Sequence, residues 1–155
     1  MGIFLMALTY GLTLFGLSSG LCPLGFAFFN PTTTIGAMVS GRLGVPRALL
    51  FLAVQLVGSL AGIFAAVGLH SSPADSYCVS TVAGTSNGGL FIVELVSSVA
   101  VTFVSVCVYN DRRNAGARWP SVYSSLSFGI IIAAAKASGS AANPTWRYDG
   151  RALLI

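Results

Sequence analysis

The stretch FFNPTTTIGA (28–37) has a near-copy at the other end of the chain, SAANPTWRYDG (140–150). An Asn-x-Thr triplet normally marks a glycan acceptor, but proline in the middle position forbids that use. Asparagine is a favoured residue just before a helix, and proline suits the first helical position. The two motifs therefore read as the starts of two helices. Each follows an apolar stretch and a run of small residues. Each opens a piece, Pro31–Gly41 and Pro144–Ile155, that at 1.5 Å per residue reaches only about half of a ~30 Å hydrocarbon core.

The setting is a membrane. The 155 residues are 55% hydrophobic and 8% charged, against about 25% charged in an ordinary soluble domain. Eight basic and four acidic residues, net +4, are too sparse for a nucleic-acid footprint, and no basic stripe with interleaved aromatics occurs. Cys22, Cys78 and Cys107 lie far apart, which predicts neither a disulfide framework nor a metal site. The apolar N-terminal stretch has no basic flank of the kind a cleaved signal carries.

Four stretches predict spanning helices: Ile3–Ser19, Ala48–Leu69, Gly89–Tyr109 and the shorter Pro120–Ala135. With no soluble linker between them, residues 1–155 read as one all-α membrane domain. Arg42, Arg47, Arg112, Arg113 and Arg118 flank the second and third stretches. The cytoplasmic bias of Lys and Arg puts both connections inside and the loop over 70–88 outside. Alternation then places residues 1 and 155 outside. Gly16 with Gly20, and Gly58 with Gly62, have the four-residue spacing that lets helix backbones approach in lipid, and are expected to be packing contacts.

Half-helices are tolerated within a bilayer only where their free backbone groups face protein or water. Two of them starting at mid-depth point their positive ends at one spot. There the amides of Asn30 and Asn143 can donate to the oxygen of a passing neutral molecule, while the same field opposes cations and protons. The competing reading, that Asn-Pro is a common turn copied by chance, leaves the matching contexts unexplained.

With these features the chain resembles the aquaporin, or major intrinsic protein, family. FNPTTTIG resembles the first family motif, with Gly36 at the expected offset from Asn30. RALLFLAVQLVGSLAG (47–62) resembles the third family helix, including Gln55. GGLFIVELV (88–96) resembles the fourth, with Glu94. NDRR (110–113) resembles the basic loop before the fifth, and SGSAANP (138–144) the approach to the second motif. The resemblance implies an inverted repeat, here about four spanning helices with half-helices at about 31–41 and 144–155, and passive transport of water. It implies a homo-tetramer where the fold is complete.

Three departures from the family pattern stand out. Both motifs, Asn30-Pro31-Thr32 and Asn143-Pro144-Thr145, carry Thr where the family usually has Ala. Arg147 follows Asn143 by four residues and Gly150 by seven, each one more than the family spacing. A single added residue such as Trp146 accounts for both, and on a helix it turns Arg147 by about 100°. Counterparts of the first and sixth family helices are missing, which implies either a piece of an ordinary channel or a shortened, non-conducting relative that misinserts or accompanies longer subunits. A missing first helix also accounts for the outside N-terminus.

Individual residues follow from the same resemblance. Tyr10 falls where the family places an aromatic of the outer filter, with an interfacial tyrosine as the alternative. Ile131 or Ile132 takes the fifth-helix filter position, and Ser140 and Arg147 the loop positions. Isoleucine there makes the filter more apolar and favours glycerol or another small neutral solute as the alternative cargo, which the bulk of Tyr10 disfavours. Glu94 and Gln55 are expected to hold re-entrant backbone by hydrogen bonds. Lys136 can snorkel to the interface, and His70 belongs to a solvated loop. Without a nucleophile–base set, paired carboxylates or a phosphate loop, no catalytic residue, enzyme activity or cofactor is expected. The expected surroundings are a lipid bilayer, in the plasma membrane or an internal one, with water or a small neutral solute as the partner.

Overall fold

The computed structural model describes residues 2–24, 28–69, 86–111 and 115–138. The elements are α1 (Gly2–Leu21), a 3-10 turn (Cys22–Leu24), α2 (Pro31–Val39), α3 (Val45–Leu69), α4 (Asn87–Asn110) and α5 (Ala115–Ser138). The loop over 70–85, the second Asn-Pro-Thr motif and the half-helix expected at 144–155 lie outside the described residues, as do His70, Cys78, Arg112 and Arg113.

Among the described residues α5 is the helix that joins α1 to α4. It packs against α1 on one side and α4 on the other, while α2 sits between α3 and α4. The polarity is inverted relative to a soluble bundle. α3 is among the most apolar elements, and Ala48 is its one buried residue. Leu50, Val57, Phe91 and Phe103 on α3 and α4 are each about two-thirds exposed. α5, by contrast, is rich in serine yet buries Trp119, Tyr123, Ser124, Ser127 and Ile131. Lipid is the solvent that favours this arrangement, since it wets apolar surface and leaves polar groups to pair inside. α1, α3 and α4 are each long and apolar enough to cross a bilayer.

α5 corrects the expectation of a short fourth span. It is 24 residues long instead of the run Pro120–Ala135. Its serines are accommodated because their hydroxyls return to the helix: Ser124 Oγ donates to Pro120 O at 2.7 Å, and Ser127 Oγ to Tyr123 O at 2.8 Å. The first half-helix is also shorter than the expected Pro31–Gly41. It stops at Val39 because Gly41 takes φ 72°, and the N–H groups of Arg42 and Leu43 turn back onto Ala37 O at 3.0 and 3.2 Å. That is an ending glycine makes cheap. α4 starts under Ser86, whose hydroxyl accepts from Gly89 N at 3.2 Å.

The glycine pairs are a second correction. A Cβ placed on Gly16, Gly20, Gly58 or Gly62 meets nothing within 4 Å, so these pairs hold no described helix to another. The face α1 buries is Ala7, Gly11, Leu14 and Ser18, a different azimuth. The close approaches are at Gly11, where a Cβ falls 3.1 Å from Phe128 Cβ, and at Gly36, where it falls 2.5 Å from Thr102 Cγ2 and 3.0 Å from Val106 Cγ2. Those two methyls sit on β-branched residues of a helix and have little freedom to move aside.

Gly36→Val is therefore expected to push α2 off α4 and lower stability by about 1–3 kcal/mol. Gly58→Ala is expected to stay within about 0.5 kcal/mol of the parent. Unfolding of the detergent-solubilised variants, followed by tryptophan fluorescence, measures both.

Candidate functional site

The site is built from Asn30. It is buried, with φ −134° and ψ 126°, and caps α2 with Pro31 in the first turn. Its Oδ1 accepts from Thr32 N at 3.0 Å and from Thr32 Oγ1 at 2.9 Å. Its backbone oxygen accepts from Thr34 N at 3.0 Å, Thr33 Oγ1 at 2.8 Å and Thr34 Oγ1 at 3.0 Å. All three hydroxyls of the Thr32-Thr33-Thr34 run thus return to Asn30. The carboxamide sits at the positive end of α2, where the aligned peptide dipoles favour negative charge and oppose cations.

Around this cap the structure brings together residues from every described helix except α4, which joins a few residues away. Gln55 of α3 donates through Nε2 to Phe28 O at 2.8 Å and to Thr34 Oγ1 at 2.9 Å. It pins both the extended approach to Asn30 and the first turn of α2. Its Oε1 is buried with no hydrogen-bond partner among the described residues. Tyr123 of α5 is fully buried, in side-chain hydrogen-bonding contact with Thr33 and close to Tyr10 of α1.

Phe28 anchors the extended approach to Asn30 among aromatic rings. It lies 5.5 Å from Phe51, 5.4 Å from Tyr109 and 5.7 Å from Trp119, and Trp119 stacks on Tyr123 at 5.3 Å and 14°. These edge-to-face and offset geometries add to simple burial. At the far end of α2, Arg42 Nε donates to Asn110 Oδ1 at 2.8 Å and Tyr109 Oη donates to Arg42 O at 3.3 Å. Arg118 pairs with Asp111 at 3.7 Å. The two arginine-bearing connections thus meet at one end of the molecule.

A groove of about 570 Å³ runs along α1, lined by Gly2, Leu5, Met6, Thr9, Tyr10 and Thr13. Tyr10 is half-buried in it. Thr9 and Thr13 were not singled out from the sequence, although their four-residue spacing beside Tyr10 places all three on one face. Thr33, Trp119 and Tyr123 were likewise passed over. Ile131 is buried and Ile132 is exposed, and neither lines the groove. Glu94 is half-buried on α4. Ser140, Asn143, Pro144, Thr145, Trp146, Arg147 and Gly150 lie outside the described residues, as does the side chain of Lys136. Among the described residues no three His, Cys, Asp or Glu side chains group as metal ligands. Cys22, in the 3-10 turn, is a free thiol whose pKa is raised by burial.

This combination of a helix capped by Asn-Pro-Thr and apolar spans is matched by comparison with known proteins. The family model for major intrinsic protein matches residues 1–153. The chain belongs to that family and is an integral membrane protein. It is 29% identical over 131 residues to the rabbit (Oryctolagus cuniculus) lens fiber major intrinsic protein, covering 82% of this chain and 48% of the relative. To human (Homo sapiens) Aquaporin-5 it is 27% identical over 129 residues, covering 82% and 47%. To Aquaporin PIP2-4 of Oryza sativa subsp. japonica it is 26% identical over 106 residues, covering 66% and 37%. The chain spans about half or less of the length of these relatives.

Gln55 is the tie most open to test. Gln55→Leu removes the donor to Phe28 O and Thr34 Oγ1 and is expected to cost about 1–3 kcal/mol. Thermal unfolding in detergent, with Gln55→Glu as a second variant that also lacks the N–H donor, should show both lowered.

Proposed function

We propose that the chain forms the conducting part of a channel that passes water passively down its osmotic gradient. The observation that carries this reading is the Asn30 cap: a buried carboxamide, at the positive end of a nine-residue helix, whose oxygens are taken up by that helix. Such a group offers hydrogen-bond donation to a neutral solute and an unfavourable field to a cation. Membership of the major intrinsic protein family supplies the class.

In this reading Asn30 meets Asn143 of the second motif at the centre of the conduit. Tyr10, with Ser140, Arg147 and one of Ile131 and Ile132, narrows the outer half, and the Thr9–Thr13 groove is one wall of the path. Gln55 and Glu94 hold the re-entrant backbone. Copies of the chain assemble as tetramers, each with its own pore.

Proteoliposomes holding the chain are expected to shrink faster than empty vesicles on an osmotic step, with Asn30→Leu falling back toward the empty rate. Stopped-flow light scattering with sucrose reads water, and with glycerol reads the larger solute. Faster exchange of glycerol than of water would reverse the choice of cargo. Shrinkage no faster than in empty vesicles under both gradients would defeat the conducting reading in favour of an accessory to longer subunits.

A further inference from the structure

α3 starts where the two arginine-bearing connections meet, and its outward face changes character there. Arg42 and Arg47 both lie near the Tyr109 hydroxyl at the end of α4. Arg42 is held in place: its Nε donates to Asn110 Oδ1 at 2.8 Å, and its backbone oxygen accepts from Tyr109 Oη at 3.3 Å. That bond uses Nε and leaves the two terminal nitrogens of the guanidinium fork to donate outward. Arg47 is exposed on the first turn of α3. Arg118 pairs with Asp111, and among the described residues neither Arg42 nor Arg47 forms an ion pair.

Below Arg47 the same face of α3 is apolar and open. Leu50, Val54 and Val57 follow it at three- and four-residue steps, which keeps them on one side of the helix, and they are 65%, 60% and 67% exposed. Gly58 continues that face as a notch, where an added Cβ meets nothing within 4 Å. At 1.5 Å per residue the stretch from Arg47 to Val57 covers about 15 Å, half of the ~30 Å hydrocarbon core. A positive head above one leaflet's depth of bare apolar surface has the outline of a single lipid.

We propose that Arg42 and Arg47 bind the phosphate of an anionic phospholipid, with one of its acyl chains lying along the Leu50, Val54 and Val57 face of α3. Charge complementarity selects the occupant. A guanidinium fork matches phosphate oxygens in pairs, and basic sites at the membrane surface favour headgroups with no balancing cation. A free phosphate can take the arginines but has nothing to lay on the apolar face. The general bias of basic residues to one side of a membrane accounts for charge at this end of the molecule. It does not account for two arginines converging on one tyrosine directly above an unbroken apolar stripe. The proposal is independent of the channel reading and needs only that α3 cross a bilayer.

The test titrates the full chain, in detergent, with phosphatidylglycerol or with phosphatidylcholine of the same acyl chains, and counts bound lipid by native mass spectrometry. The parent is expected to bind phosphatidylglycerol about tenfold more tightly than phosphatidylcholine. Arg47→Gln and Arg42→Gln are each expected to weaken phosphatidylglycerol binding about fivefold, the scale of one basic residue at an anionic surface, and to leave phosphatidylcholine binding unchanged. Arg47→Lys, which keeps the charge, retains most of the preference. Arg118→Gln, which removes a charge at the same end of the molecule, retains it in full. Inorganic phosphate at the lipid's own concentration is expected to leave the bound lipid in place.

Equal affinity of the parent for the two lipids overturns the proposal, as does an equal loss for both in Arg47→Gln. A loss in Arg118→Gln as large as in Arg47→Gln reduces the effect to net charge and overturns it too, as does displacement of the lipid by inorganic phosphate. Lipid bound by single chains but excluded from assemblies of copies gives the face to a second copy of this chain, with the same consequence.

Discussion

A chain that reverses direction inside a bilayer takes backbone N–H and C=O groups away from bulk water, and each one left without a protein or water partner costs several kcal/mol. The rest of this structure is arranged around meeting that demand at Asn30. The run Thr32-Thr33-Thr34 closes onto both oxygens of Asn30, and Gln55 supplies the donor for Phe28 O one step earlier. Each of these partners is held in turn. Gln55 is carried by α3, Thr33 touches Tyr123 of α5, and Phe28 is wedged among Phe51, Tyr109 and Trp119. The short helix is thereby both the most demanding element and the one on which α3 and α4 converge.

That arrangement also explains why polar residues lie where they do. In water a serine-rich helix belongs at the surface and a leucine-rich one inside. Here, among the described helices, α5 takes the middle, its serine hydroxyls folded back on its own carbonyls, and apolar α3 takes the outside. The interior is knit by aromatic contacts and a few directed hydrogen bonds, because packing of apolar surface alone discriminates little between protein and lipid tails.

Much of this was legible in the sequence, for reasons that differ residue by residue. Asn30 and Pro31 announce a helix start by local chemistry, and the structure begins α2 there. Gln55 stood out through the resemblance of 47–62 to the third family helix, and the structure gives it the backbone-holding hydrogen bond expected of it, to Phe28 O. The end of α2 was misjudged by two residues, because the sequence does not show which of several glycines takes the left-handed conformation. The start of α5 was hidden in a polar run, Ala115–Trp119, that reads as loop. The glycine pairs misled because spacing fixes a stripe on a helix but not the direction it faces. The threonines were noticed as a motif, but a hydroxyl near a helix start has several backbone and side-chain acceptors within reach, and only coordinates choose among them.

Among the described residues α3 packs chiefly on α2, and every side chain on it but Ala48 stays at least partly exposed. At 25 residues and about 1.5 Å each it is some 37 Å long, more than the ~30 Å apolar slab it crosses. Such a rod leans to hide its excess length, and leans further as the slab thins. Gln55 lies two residues from the rod's midpoint, Val57, which is the place a leaning rod moves least. Swings of its ends in membranes of different thickness therefore leave the amide that steadies Asn30 nearly where it was, like the fulcrum of a seesaw.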